Sequence, residues 1–208
     1  MPLSSTDLVW YYTDAASGPA NNTLSLGGSI SPSTITSGLD ENVFDDVTGA
    51  ESESGESHYR AIALRDTHAT HDYLNYEAWI EGYTRSGVTA DTIYFSLEIP
   101  HSTPGSIAIA ADEFTSPSTT DFVQGWEVEG IPSNTITPSG NTLDASETSK
   151  NWVGIWLWRT IPAGASAYSG RACTIKFRGE TTGSPRMVIE KTWSINWSKD
   201  GQISVQSI

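Results

Sequence analysis

Apolar residues in this chain alternate with polar ones or gather in short β-branched and aromatic runs. No long window repeats them at three- and four-residue spacing. The pattern therefore predicts strands and no amphipathic helix. Asp91–Ile99 alternates most cleanly, with Ile93, Phe95, Leu97 and Ile99 opposite Thr92, Tyr94, Ser96 and Glu98. Asn151–Thr160 sets Trp152, Trp156 and Trp158 opposite Val153, Ile155, Leu157 and Arg159. His58–Arg65 carries apolar residues on both faces, which predicts a strand covered on both sides with its arginines near the ends. Further strands are expected at Leu8–Thr13, Tyr73–Ile80, Ser106–Ala110, Phe122–Val128 and Arg171–Arg178, and a weak strand or bulged edge at Leu24–Ile30. In the tail, Arg186–Trp197 and Gln202–Ile208 flank Lys199-Asp200-Gly201, and an Asp-Gly pair between alternating runs predicts a hairpin.

Between these runs lie turn-forming residues: Ser31–Gly38, the acidic segment that opens Asn42–Ile80, the polar turn Asp66–Asp72, and the Ser/Thr/Gly/Pro-rich excursion Glu129–Lys150. The expected fold is all-β, an antiparallel β-sandwich of jelly-roll or immunoglobulin-like type with about ten strands and a C-terminal β-hairpin. Residues 1–185 are expected to form the sandwich. Residues 186–208 form the hairpin, packed on the domain or extended to a neighbour.

A length of 208 residues is enough to bury a core without covalent staples. The single cysteine, Cys173, excludes an intrachain disulfide, and its place on the apolar side of a strand predicts a buried small hydrophobe. The N-terminus has no basic start and apolar core, and no run is long enough to span a bilayer. The expectation is a chain made and folded in a cytoplasm with no membrane partner. A net charge of −14 argues against nucleic acid as a partner. The charge is uneven: residues 1–149 hold 22 acids and three bases, residues 150–208 three acids and eight bases. Either the last strands neutralise the first, or the molecule has two ends that attract opposite charges on neighbouring copies.

Candidate chemistry is sparse. The acids from Asp40 to Glu56 could hold a hard cation, but they lack the spaced Asp-x-Asp-x-Asp-Gly pattern and a distal Glu. His58, His68, His71 and His101 show no metal-ligand spacing. No glycine-rich phosphate loop, Gly-x-Ser-x-Gly elbow or His-Glu-x-x-His pattern occurs. No cofactor, metal or enzymatic activity is therefore expected. Eight tryptophans could furnish a sugar-binding platform, although alternate placement of Trp152, Trp156 and Trp158 reads as a packed sheet face.

Several blocks resemble a family of structural proteins from tailed bacteriophages. They are Gly27-Gly28-Ser29-Ile30-Ser31, Asn42–Val47 with Gly49-Ala50-Glu51, Gly55–Arg60, Trp79-Ile80, Ile107–Pro117 and Val153–Ala165. The resemblance runs in scattered blocks from about Gly27 to Gly179 and stops short of the final segment. It implies a virion component with a β-sandwich body and no known catalysis. Capsid decoration, as a cement protein clamping major capsid subunits, is the first expectation. A tail, neck or baseplate component, or a carbohydrate-binding host-adhesion module, is the alternative. The implied partners are the major capsid protein or other virion subunits, and further copies of this chain in a homo-oligomer. The implied location is the virion, assembled in the host cytoplasm. Contact with neighbours is expected from the acidic loop (Asp45, Asp46, Glu51, Glu53) and the terminal hairpin (Lys191, Trp193, Trp197, Lys199).

Overall fold

The structure, a computed structural model, describes residues 2–14, 21–83, 91–100, 105–117, 123–124, 142–147, 150–164 and 168–199. Of residues 14, 81–83, 123–124, 168–171 and 196–199 only the backbone is described. The strands are β1 (Leu8–Asp14), β2 (Gly27–Thr34), β3 (Glu56–Asp66), β4 (Tyr73–Tyr83), β5 (Thr92–Glu98), β6 (Ile107–Ile109), β7 (Val123–Gln124), β8 (Thr142–Leu143), β9 (Trp152–Ile161), β10 (Tyr168–Thr181) and β11 (Val188–Lys199). One short helix, α1 (Gly49–Ser54), lies in the acidic loop. Two antiparallel sheets face each other, one ordered β6-β2-β1-β3-β9-β5-β7 and the other β11-β10-β4-β8. The chain is an all-β sandwich.

Period-two alternation builds the core from both sides. Ile62 and Leu64 of β3, Val153, Ile155 and Leu157 of β9, and Ile93 and Phe95 of β5 point inward. They meet Tyr76, Ala78 and Ile80 of β4, Cys173, Ile175 and Phe177 of β10, and Trp193 and Ile195 of β11. Trp10 of β1 joins the sheets: it stacks on Trp193 at 5.2 Å between centroids and meets Phe177 edge-on at 5.7 Å. Burial pushes the Cys173 thiol far above its ordinary range, as suits a residue used as a small hydrophobe.

The large sheet is covered on its second face as well. Tyr59, Ala61 and Ala63 of β3 and Trp152 and Trp156 of β9 pack there against Ile107 and Ala110. Gly27 permits this second layer. Its φ is +95°, and a Cβ there would lie 1.9 Å from the carbonyl oxygen of Ala108 and 2.8 Å from the Trp156 ring. Glu98 of β5, also buried, accepts hydrogen bonds from Trp156 Nε1 (2.9 Å) and the Ala108 amide (2.8 Å), which ties β5, β6 and β9 together.

Three expectations need correction. First, Gly49–Ser54 is helical where only a loop was expected. Its capping box supplies the local reason: Thr48 Oγ1 accepts from the Glu51 amide while Glu51 Oε2 accepts from the Thr48 amide. Second, Ser31–Thr34 is strand, because β2 continues alongside β1. Third, Trp193 was expected at a contact with a neighbour; it is buried in the core, because it lies on the inward face of β11 and stacks on Trp10 of the facing sheet. The second arm of the expected hairpin, Gln202–Ile208, lies outside the described residues.

Asp66 closes β3 under tension between two needs. Its Oδ1 accepts from the His68 amide at 2.8 Å, but Oδ2 is buried without a hydrogen bond. Burial pushes its carboxyl up to about 6. A carboxyl raised above its unfolded value favours the folded state while protonated, so this contribution is lost as pH climbs from about 4 to 6. Asp66→Asn keeps the acceptor and removes the ionisation. It should raise the urea midpoint at pH 8, by up to about 3 kcal/mol in stability, with the gain shrinking toward zero near pH 4. A second expectation concerns β11. A chain ending at Met187 loses Ile189, Trp193 and Ile195 from the core and uncovers Phe177. It should show no cooperative urea transition by tryptophan fluorescence.

Candidate functional site: an acidic loop clamped by two buried arginines

The inward row of β3 does not stay apolar. Counting back in twos from Leu64 and Ile62 gives Arg60 and His58, and the matching row of β9 ends in Arg159 directly across from His58. Arg60, Arg159 and His58 are buried. Cations in such a place need partners, since a lone buried charge costs several kcal/mol. The loop from residue 40 to 56 supplies most of them.

The loop is anchored by its apolar residues first. Val43, Phe44 and Val47 are buried, and Val43 and Phe44 belong to the main core. The Arg159 guanidinium sits 4.7 Å from the centre of the Phe44 ring. Asn42 spans the two sheets: its carbonyl accepts from Tyr12 Oη at 2.8 Å, and its Nδ2 donates to Ser194 O at 2.8 Å and Thr36 O at 3.2 Å. Gly55, with φ +74°, ends α1 and turns the chain into β3; a Cβ there would meet Ala163 N at 2.8 Å.

The ionic contacts follow from that placement. Arg159 Nη1 donates to Asp45 O at 2.9 Å, and Nη2 donates to His58 Nδ1 at 2.7 Å. Arg60 donates to Asn22 O, to Tyr59 O at 3.0 Å and to Glu113 Oε2. Asp45 Oδ1 stands 3.8 Å from Arg60 Nη2 and 3.7 Å from Arg159 Nη2, between the two guanidiniums but bonded to neither. A guanidinium can only donate, so His58 Nδ1 is an acceptor and the neutral ring carries its proton on Nε2. That atom faces Glu51 Oε1 at 3.6 Å and Glu56 Oε2 at 3.7 Å. Burial, then the Arg159 charge, lower the basicity of His58. Burial, then the Glu51 and Glu113 charges, hold the Glu56 carboxyl above its usual range. Outside the clamp, Glu41 (φ +53°) is pushed up mainly by the Asp46 carboxylate, with Asp40 and Asp45 adding to it.

Of the residues expected to meet neighbours, Asp45 and Glu51 are committed to the clamp and the helix cap. Asp46 is half-buried beside Glu41, and Glu53 is exposed. Lys191 Nζ donates to Ser5 O at 2.8 Å, and Trp193 is internal. The side chains of Trp197 and Lys199 lie outside the described residues. His58, Arg60, Glu113 and Arg159 were not singled out as site residues. The signal was a charged residue continuing the apolar face of an alternating strand. Of the late bases, Arg159 faces the early acids from inside, whereas Lys176 and Arg186 pair with the late acids Glu190 at 3.0 Å and Glu180 at 3.1 Å.

No family model matches the chain, and no curated protein matches it. Among solved structures, a collagen-binding domain from a Staphylococcus aureus adhesin is similar over 68% of this chain and 88% of its own, at 9% identity and a TM-score of 0.25. At that score the likeness bears on neither fold nor ligand.

Arg159→Met keeps the apolar stem and removes the donors. It should cost about 1–3 kcal/mol of stability, because the Asp45 carbonyl and His58 Nδ1 lose their buried donor. Glu-specific protease should then cut at Glu51 and Glu53 faster than in the parent chain under native conditions, as read by mass spectrometry.

Proposed function

We propose that this chain is a non-catalytic structural component of a tailed-phage virion, acting as a capsid decoration protein through contacts with neighbouring subunits. One observation carries the reading. Most of the blocks behind the family resemblance, far apart in sequence, lie in the large sheet and in the loop that precedes β3. Gly27 lets the second layer close on Trp156; Phe44, Asp45 and Glu51 form the clamped loop; Gly55 to Arg60 enter β3; Glu113 and Arg159 complete the ion pairs.

The surface beside the clamp suits a protein partner. Leu24, Ile109 and Phe114 are each more than half exposed, and they sit on the segments that run past β3. The crowded carboxylates of Asp40, Glu41 and Asp46 lie on the loop they adjoin. Exposed apolar side chains together with surplus negative charge fit a partner surface with both apolar and basic residues. The major capsid protein is the proposed partner, with further copies of this chain completing a homo-oligomer.

The alternative of a glycan platform finds less support. Among the described tryptophans only Trp158 is not buried. It lies between Tyr59 and Tyr94 in register across β3, β9 and β5, stacked at 5.8 and 4.4 Å, so its ring faces are already covered. Sugar stacking needs an open face.

Mass spectrometry of purified virions tests the proposal. Decoration requires the chain in copy numbers that track the major capsid protein; a few copies per particle would assign it to tail, neck or baseplate, and absence from virions would overturn it. The charge contact has its own test. Asp40→Asn, Glu41→Gln and Glu53→Gln together should weaken binding to heads several-fold in low salt and leave the urea midpoint unchanged, with the difference closing as salt rises.

A further inference from the structure

The same clamp presents an incomplete coordination sphere. Glu51, Glu56 and His58 each offer a ligand atom, and the three atoms lie within 4.8 Å of one another. His58 is 1% exposed, and its Nε2 is buried with no hydrogen bond, aimed between the two carboxylates. We propose that Glu51, Glu56 and His58 form a binding site for a divalent transition-metal ion of zinc type, independent of whether the chain belongs to a virion.

The distances suit such an ion. Zinc with bonds of about 2.1 Å in tetrahedral geometry holds its ligand atoms about 3.4 Å apart. Nε2 stands 3.6 Å from Glu51 Oε1 and 3.7 Å from Glu56 Oε2. The remaining closure falls on the carboxylates, which at 21% and 30% exposure can move while the imidazole stays fixed. Glu51 is already oriented: the capping box engages its Oε2 with the Thr48 amide and leaves Oε1 for the ion. One imidazole and two carboxylates favour zinc over calcium, which takes an all-oxygen shell. Three protein ligands leave the fourth position to water.

Charge argues the same way. Asp45, Glu51, Glu56 and Glu113 bring four carboxylates to a cluster with two guanidiniums, Arg60 and Arg159. A dication removes the surplus.

Ligation at Nε2 displaces its proton, so the neutral ring must carry a proton on Nδ1 instead. Arg159 Nη2 now donates to that atom and has to leave it. An acceptor is in place: Asp45 Oδ1, buried, without a hydrogen bond and 3.7 Å from Nη2. Two of the cluster's atoms without a hydrogen bond are thus the two ends of one rearrangement, with Nε2 taking the ion and Asp45 Oδ1 taking the arginine.

Isothermal titration of the chelator-treated full chain with zinc chloride, and in parallel with calcium chloride, tests the site. One zinc per chain is expected, bound more tightly than calcium. Glu56→Gln should weaken zinc by about tenfold or more, and His58→Gln should abolish it. Glu56 is partly exposed and its side chain makes no hydrogen bond to the core among the described residues, so its variant decides the matter even if His58→Gln does not fold. His68→Ala with His71→Ala, removing the other neighbouring pair of imidazoles, should leave the affinity intact. No zinc binding, an affinity unchanged in Glu56→Gln, or calcium binding as tight as zinc would each overturn the proposal.

Discussion

Two guanidinium groups buried at the end of the core set the terms for much of this fold. Arg60 and Arg159 extend inward-facing rows that are otherwise aliphatic, so the strands that make the sandwich also carry charge into it. Apolar packing alone cannot accommodate them. The loop before β3 must fold down, and the Glu113 segment must come across, before that end is tolerable. The features of residues 40–56 serve this requirement. Phe44 goes under the Arg159 guanidinium, Asn42 bridges both sheets, a six-residue helix is held by its own cap, and Gly55 makes the turn. The acidic loop is a structural member first and a surface second.

Much of the sandwich was legible in the chain. The alternation in Asp91–Ile99 and Asn151–Thr160 assigns the correct faces, and the mixed pattern of His58–Arg65 matches a strand with a core on each side. What escaped was non-local. Trp193 looks available if the last strand is imagined in a hairpin with the residues after it. It is internal because it lies on the face that meets Trp10 of the other sheet. The clamp escaped for a similar reason, since its acids come from positions 45, 51, 56 and 113 and its bases from 60 and 159. The helix was local and readable: Thr48 and Glu51 have the spacing of a capping box.

The uneven charge of the chain also changes meaning in three dimensions. Of the bases after residue 149, Arg159 faces the acidic loop from inside and Lys150 pairs with Glu147, whereas Lys176 and Arg186 pair with the late acids Glu190 and Glu180. The asymmetry is in part an internal matching of early acids to late bases. What remains outward is the crowding around Glu41, where carboxylates raise one another's affinity for protons.

The position of β3 has a consequence for how the protein comes into being. One side of this strand pairs with β9 from Glu56 to Arg65; the other meets β1, then Ser25 and Glu113. Translation delivers β3 well before β9, so a ribosome-bound chain holds His58 and Arg60 without the Arg159 strand across from them. The large sheet therefore closes only after synthesis has passed residue 161. It closes through contacts distant along the chain, which fold slowly and leave strand edges open meanwhile. The acids crowded into the early part of the chain keep that waiting intermediate strongly negative, and mutual repulsion between nascent copies is a safeguard against premature association.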